Sequence, residues 1–97
     1  MAQILNYEFE GPYPLAETVF NEVPAVYFIS DDHNSNLDVG QTDNLKTRLA
    51  SHDRMPCWRR NAKSRIVVYV LQVFSGNQRL AIESRIRSSF NFCCGIV

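Results

Sequence analysis

Four side chains in this sequence have the means to do chemistry: Tyr27, Arg48, His52 and Glu83. Arg48 and His52 lie four residues apart in "DNLKTRLASH", so a helix over that segment sets a guanidinium and an imidazole on one face. The hairpin expected just before it carries Tyr27, and the cation, the imidazole and the phenol would sit together. Glu83 belongs to "QRLAIESRIRSSF", where Arg79, Glu83 and Arg87 form a stripe at i, i+4 and i+8. Two explanations of that carboxylate stand open. It is a helix-surface group paired with both arginines, at a few tenths of a kcal/mol each (about 0.2–0.5), or it is a metal ligand in a basic neighbourhood that also holds phosphate. Composition alone favours the first. A third constellation is Trp58 with Arg59, Arg60, Lys63 and Arg65 close behind it and Arg54 just before. Lys and Arg beside an aromatic are the common makeup of a nucleic-acid contact, phosphate meeting the cations and a base stacking on the ring; the indole is equally a core anchor, and the two uses are compatible. Lys46, Trp58, Arg59, Arg60 and Lys63 are the candidate substrate contacts.

The elements that must position these residues follow from local pattern. "AVYFI", from Ala25, is a continuous apolar run suited to a strand buried on both faces. "SDDHNSN" is a polar turn, and "LDVG" is the return strand ending at Gly40. Thr42 or Asp43 is placed to cap the helix that follows, with Leu45 and Leu49 on its buried face. Upstream, Ile4 to Glu10 alternates as a half-exposed strand that Gly11-Pro12 stops, and "AETVFNEV" is expected to form a short helical turn before Pro24. Pro56 starts a second short helix. "IVVYVLQVF", residues 66 to 74, is the strongest strand and is expected at the centre of its sheet. Ser75 or Asn77 caps the last helix, whose apolar face is Ile82, Ile86 and Phe90, and "NFCCGIV" leaves it as an extended tail. The order predicts an α+β domain: a small, mainly antiparallel three-stranded sheet plus an N-terminal strand, flanked by helices.

Ninety-seven residues make one domain, which buries roughly two-thirds of its extended surface. No apolar run approaches the ~20 residues that span a bilayer, and no leader pattern opens the chain. The expectation is a soluble cytoplasmic protein without a membrane partner. Three cysteines, Cys57, Cys93 and Cys94, are an odd number with no C-x-x-C pair, which speaks against a disulfide framework and against zinc shared with His52, and for buried reduced thiols. The net charge of zero conceals a division. Residues 1 to 45 hold eight acids and no Lys or Arg, −8; residues 46 to 97 hold ten bases and two acids, +8. Either one face meets a polyanion, or the halves interleave and neutralise each other.

Taken together, "AVY", "DVG", "QTDNLKTRLASH" and "AIESRIRSSFN" resemble the GIY-YIG nuclease domain in order and spacing, over residues 25 to 95, with residues 1 to 24 as an N-terminal extension of a single domain. "GPYPL" and "CWRRNA" are similar to segments of its short bacterial members. Each motif is only three or four common residues; the order carries the resemblance. Tyr27 matches the Tyr of "GIY", Gly40 the Gly of "YIG", Arg48 and His52 the helix Arg and the His found four residues later in many members, and Glu83 the metal-binding Glu. Ala25 and Val26 replace the Gly and Ile of the first motif, Asp38 stands where the second Tyr belongs, and Gly95 falls where the family has an Asn, with Asn91 out of register.

The resemblance implies a metal-dependent endonuclease that hydrolyses phosphodiester bonds by in-line attack of water, using Mg²⁺ or Mn²⁺ held by Glu83, on nucleic acid and on DNA rather than RNA. In it Tyr27 acts as base, His52 orients its oxygen or relays its proton, and Arg48 holds the scissile phosphate. Asp38 is either a second metal ligand or an anion that repels substrate. Two alternatives come from the same residues: a nucleic-acid-binding module of this fold without turnover, and a protein-interaction domain built on the −8/+8 division.

Overall fold

The computed structural model describes residues 1–95; the last two residues of the sequence, and so the end of the "NFCCGIV" tail, lie outside the described residues. Five strands, β1 (Ala2–Ile4), β2 (Tyr7–Pro14), β3 (Ala25–Asp31), β4 (Asp38–Thr42) and β5 (Ile66–Gln72), form one sheet in the order β1-β2-β5-β3-β4, with every pairing antiparallel. Helices α1 (Leu45–Ala50) and α2 (Met55–Asn61) cover one face and α3 (Gly76–Ser89) the other. The α+β class and the antiparallel sheet are as the sequence predicts, and β5 is central, between β2 and β3.

β3 is buried along its whole length, which explains its unbroken apolar run. Ala25, Tyr27 and Ile29 point to the α1/α2 side, where Leu37, Leu45, Leu49, Trp58, Val68 and Val70 complete one core. Val26 and Phe28 point to the α3 side and pack with Phe9, Val39, Ile86 and Phe92.

Where the N-terminal half departs from expectation, backbone hydrogen bonds account for it. The single predicted strand is two, β1 and β2, joined by a turn in which Leu5 takes a positive φ of 54°. Gly11-Pro12 does not stop β2. Gly11, at φ +116°, lets the chain bulge between Glu10 and Tyr13, and pairing to β5 resumes at Tyr13–Val68. Residues 15–17 make only a turn, and no helix follows in "AETVFNEV". The carbonyls of Asn21 and Val23 instead accept from Lys46 and Leu45, the open amides at the start of α1.

Around α1 the predicted boundaries also shift. β4 runs past Gly40 to Thr42 and begins at Asp38 instead of Leu37. The cap is neither Thr42 nor Asp43 but Asn44, whose side chain accepts from the Thr47 amide at 3.1 Å; the Thr42 hydroxyl is used to hold the Asn44 amide. The helix ends at Ala50, so His52 lies beyond it and does not share a helix face with Arg48.

The hairpin register sets Tyr27 directly opposite Gly40. A Cβ at position 40 would collide with the Tyr27 ring, 2.8 Å from Cε2 and nearer still to the hydroxyl. The bare glycine is what allows the phenol to lie across the neighbouring strand toward the outer edge of the sheet. Gly40→Ala is therefore expected to lower stability by about 1–3 kcal/mol, as overpacking does, in a urea-unfolding comparison with wild type.

Candidate active site

Tyr27 is 1% exposed, yet its hydroxyl is engaged: Oη lies 2.7 Å from His52 Nε2. His52 is itself buried, its ring 4.4 Å from that of Trp58. The backbone N–H of Arg54 donates to His52 Nδ1 at 3.1 Å. An amide can only donate, so Nδ1 is an acceptor and the proton of the neutral imidazole sits on Nε2, from which it donates to Tyr27 Oη. Burial, together with Arg48 and Arg54, pulls the His52 pKa down to about 4. The ring is uncharged at neutral pH, and Asp53, 3.5 Å from Nδ1, is not its ion-pair partner. Asp53 serves Arg48 instead, accepting from Nη2 at 2.7 Å. So held, the Arg48 guanidinium acts by its charge to favour the phenolate of Tyr27. Burial pushes the phenol pKa up, with Arg48 the main opposing influence.

Beside this trio lies Asp38, with 0% exposure. Its Oδ2 accepts from Arg54 Nε at 2.6 Å and from the Trp58 indole N–H at 2.9 Å. Oδ1 accepts from Arg87 Nη2 at 2.7 Å and from the Val39 amide at 2.8 Å. These donors hold the carboxyl below its usual range against the opposing effect of burial. Both oxygens of Asp38 are thus engaged by donors of the chain itself, and two arginines more than neutralise its charge. Arg87 also donates to the carbonyls of Val39, Cys94 and Gly95. The edge of β4 is thereby closed by a side chain from the opposite layer. Gly95, at φ +74°, packs on this pair so closely that a Cβ would lie 2.7 Å from Asp38 Oδ1 and 2.9 Å from Arg87 Nη1. The two departures from the family pattern, at 38 and at 95, are thus neighbours in space and depend on each other.

Glu83 projects from α3 toward the same cluster; its carboxyl is half-buried and feels the charges of Arg87, Arg54 and Asp38, with burial raising its pKa. The predicted surface pairing with Arg79 and Arg87 does not form. Arg79 is turned to Gln41 and to the carbonyls of Val73 and Phe74, and Arg87 to Asp38. Among the described residues the Glu83 carboxylate makes no hydrogen bond or ion pair, which suits a hard cation that takes one protein carboxylate and fills its other positions from water and phosphate. No cluster of three or more His, Cys, Asp or Glu side chains that would hold an ion by themselves occurs among the described residues.

The candidate substrate contacts divide. Lys46, Arg59, Arg60 and Lys63 are exposed, on α1 and along and after α2. Trp58 is fully buried with its N–H on Asp38, so it is a core anchor and has no face for a base to stack on. Across the −8/+8 division the halves interleave: Asp38 takes Arg54 and Arg87, and Asp32 takes Arg65. The cysteines correct another expectation. Cys57 and Cys94 form a disulfide joining α2 to the tail, and Cys93 is free but exposed. The sequence places Arg54 only among the cations around Trp58 and pairs Arg87 with Glu83; neither reading finds Asp38 as their partner. The signal was there in Asp38, an acid inside a strand that has to be buried, which requires cationic or N–H partners from elsewhere in the chain.

The chain is thus an antiparallel α+β sheet domain with a buried, hydrogen-bonded phenol and, among the described residues, a half-buried carboxylate without a partner. Compared with models of known protein families, residues 23–92 match the GIY-YIG catalytic domain, and the chain belongs to that family. The family's activity is that of endonucleases acting on nucleic acid. No curated protein matches the chain. Among the described residues no helix is long and apolar enough to cross a membrane.

Two outcomes follow from the geometry. His52 binds a proton less readily in the fold than at its ordinary pKa of 6.5, so between about 6.5 and about 4 the unfolded chain takes up the proton first. Stability is expected to be full above that window and to fall as pH drops through it, with His52→Gln flattening the slope in urea midpoints measured at pH 7, 6, 5 and 4.5. Asp38→Ala strands two arginines and an indole N–H; breaking such a partly buried network costs about 3 kcal/mol, readable as a lowered Tm by calorimetry.

Proposed function

We propose that this domain is a working metal-dependent endonuclease that hydrolyses the backbone of DNA, and that Tyr27, Arg48, His52 and Glu83 carry the reaction. The observation that supports it most is the buried Tyr27–His52 contact, with the Arg48 charge acting on the phenol and a Glu83 carboxylate that no cation among the described residues occupies. Tyr27 Oη takes the proton of the attacking water. For that it must be the phenolate, which burial opposes and which His52 Nε2–H and the Arg48 charge favour. His52 positions the oxygen; with its Nδ1 occupied by the Arg54 amide and its proton on Nε2, it has no free lone pair with which to receive the phenol proton. Arg48, steadied by Asp53, binds the scissile phosphate and offsets the negative charge that grows in the transition state. Glu83 would hold Mg²⁺ or Mn²⁺, which when bound supplies charge compensation for the leaving oxygen. Lys46, Arg59, Arg60 and Lys63 supply sequence-independent attraction for the flanking phosphates.

Purified protein incubated with plasmid or single-stranded DNA and Mg²⁺ or Mn²⁺ is expected to cut it, with Tyr27→Phe and Glu83→Ala slower by about 10²–10⁴-fold. Because the phenol pKa lies above its ordinary 10.0, the wild-type rate is expected to keep rising with pH from 7 to 9. Wild type cutting no faster than either variant would sink the proposal.

A further inference from the structure

We propose that Arg54 is a second phosphate-binding cation of this site, aimed at the substrate by the buried carboxylate of Asp38. The inference rests on the nuclease reading above and assigns a substrate contact that neither the sequence motifs nor the family match supplies.

The argument begins with charge. Asp38, Arg54 and Arg87 together carry one negative and two positive charges, so the cluster retains a net +1. Arg87 is not where that charge is available, since its terminal nitrogens serve Asp38 and the carbonyls of Val39, Cys94 and Gly95. Arg54 spends only Nε on Asp38, and among the described residues its two terminal nitrogens make no hydrogen bond. Its side chain is 31% exposed, and Asp38 fixes the direction in which the planar head can face. A guanidinium held by Nε presents its remaining edge as a fork that matches two oxygens of a phosphate.

Location makes the second part of the case. Arg54 follows His52 by two residues, and its backbone N–H fixes the imidazole tautomer that supports Tyr27. Its charge is felt by Tyr27, by His52 and by Glu83, the groups that bracket the proposed reaction. Arg48 belongs to α1 and is steadied by Asp53. Arg54 is held by Asp38. A phosphodiester at Tyr27 would therefore lie in the field of both. Where the family has a phenol at position 38, this chain has an acid that delivers a cation.

The test measures binding of a labelled DNA duplex to the full chain without divalent ions, so that nothing is cut, across a series of salt concentrations. A lost phosphate contact lowers the slope of log affinity against log salt by about one. Arg54→Gln is expected to show that drop, and Arg85→Gln, whose guanidinium lies over Tyr7 on the other face of the sheet, is expected to keep the wild-type slope. A merely structural role would lower Tm and leave the slope alone. Should Arg54→Gln fail to fold, the wild-type protein answers the same question: phenylglyoxal labelling of Arg54, read by mass spectrometry, is expected to fall when the duplex is added. An unchanged slope in folded Arg54→Gln, or undiminished labelling, overturns the assignment of Arg54 while leaving the nuclease reading intact. Wild type that binds no duplex at any salt likewise overturns the assignment of Arg54, and the cleavage assay decides the nuclease reading separately.

Discussion

The carboxylate of Asp38 is the constraint on which the rest of this structure depends. An ionised carboxyl with no exposed surface is tolerable only if every oxygen lone pair finds a donor and the charge finds a partner. Here the donors come from four places: the indole of α2, the arginine before that helix, the arginine near the end of α3, and the backbone of β4 itself. Meeting that demand fixes the distance between the two helical layers at one edge of the sheet. It also dictates the close approach of the tail at Gly95. The group that looks most foreign to a site for a polyanion is thus what collects cations there.

A second balance is set at Tyr27. Burial alone would make the phenol a weaker acid than in water, and the fold answers with one hydrogen bond from an uncharged imidazole and one permanent charge from Arg48. Keeping His52 neutral is what makes this arrangement stable in its roles. A charged ring could no longer accept the Arg54 amide at Nδ1, and would compete with Arg48 for Asp53. The same arginines that crowd the imidazole therefore preserve its function as a donor to the phenol.

Much of this was legible in the residues. The buried strand at Ala25–Asp31, the central strand at Ile66–Gln72 and the Ser75 cap of the last helix follow from apolar runs and one hydroxyl, because strong local patterns decide those elements. Tyr27 and His52 are in contact even though the helix expected to carry His52 stops two residues short of it. Hidden from local pattern were features decided at long range. The amides of Leu45 and Lys46 take carbonyls from a loop more than twenty residues earlier, which abolishes the helical turn expected there. The bulge at Gly11 lets a strand continue through a proline, since pairing with β5 outweighs the local stop signal. Arg87 was assigned to its helix neighbour Glu83, but a buried acid in another element offers an arginine far more than an exposed pair does.

The span of chain drawn together at Asp38 has a consequence for how the site comes into being. Its side-chain partners lie 16, 20 and 49 residues further along the sequence. No local segment holds a fragment of the network that is satisfied by itself, and contacts of such separation form late and cooperatively. The site is therefore gained or lost as a unit with the closing of the sheet edge. A half-folded chain holds the arginines, the phenol and the acid without the geometry that relates them.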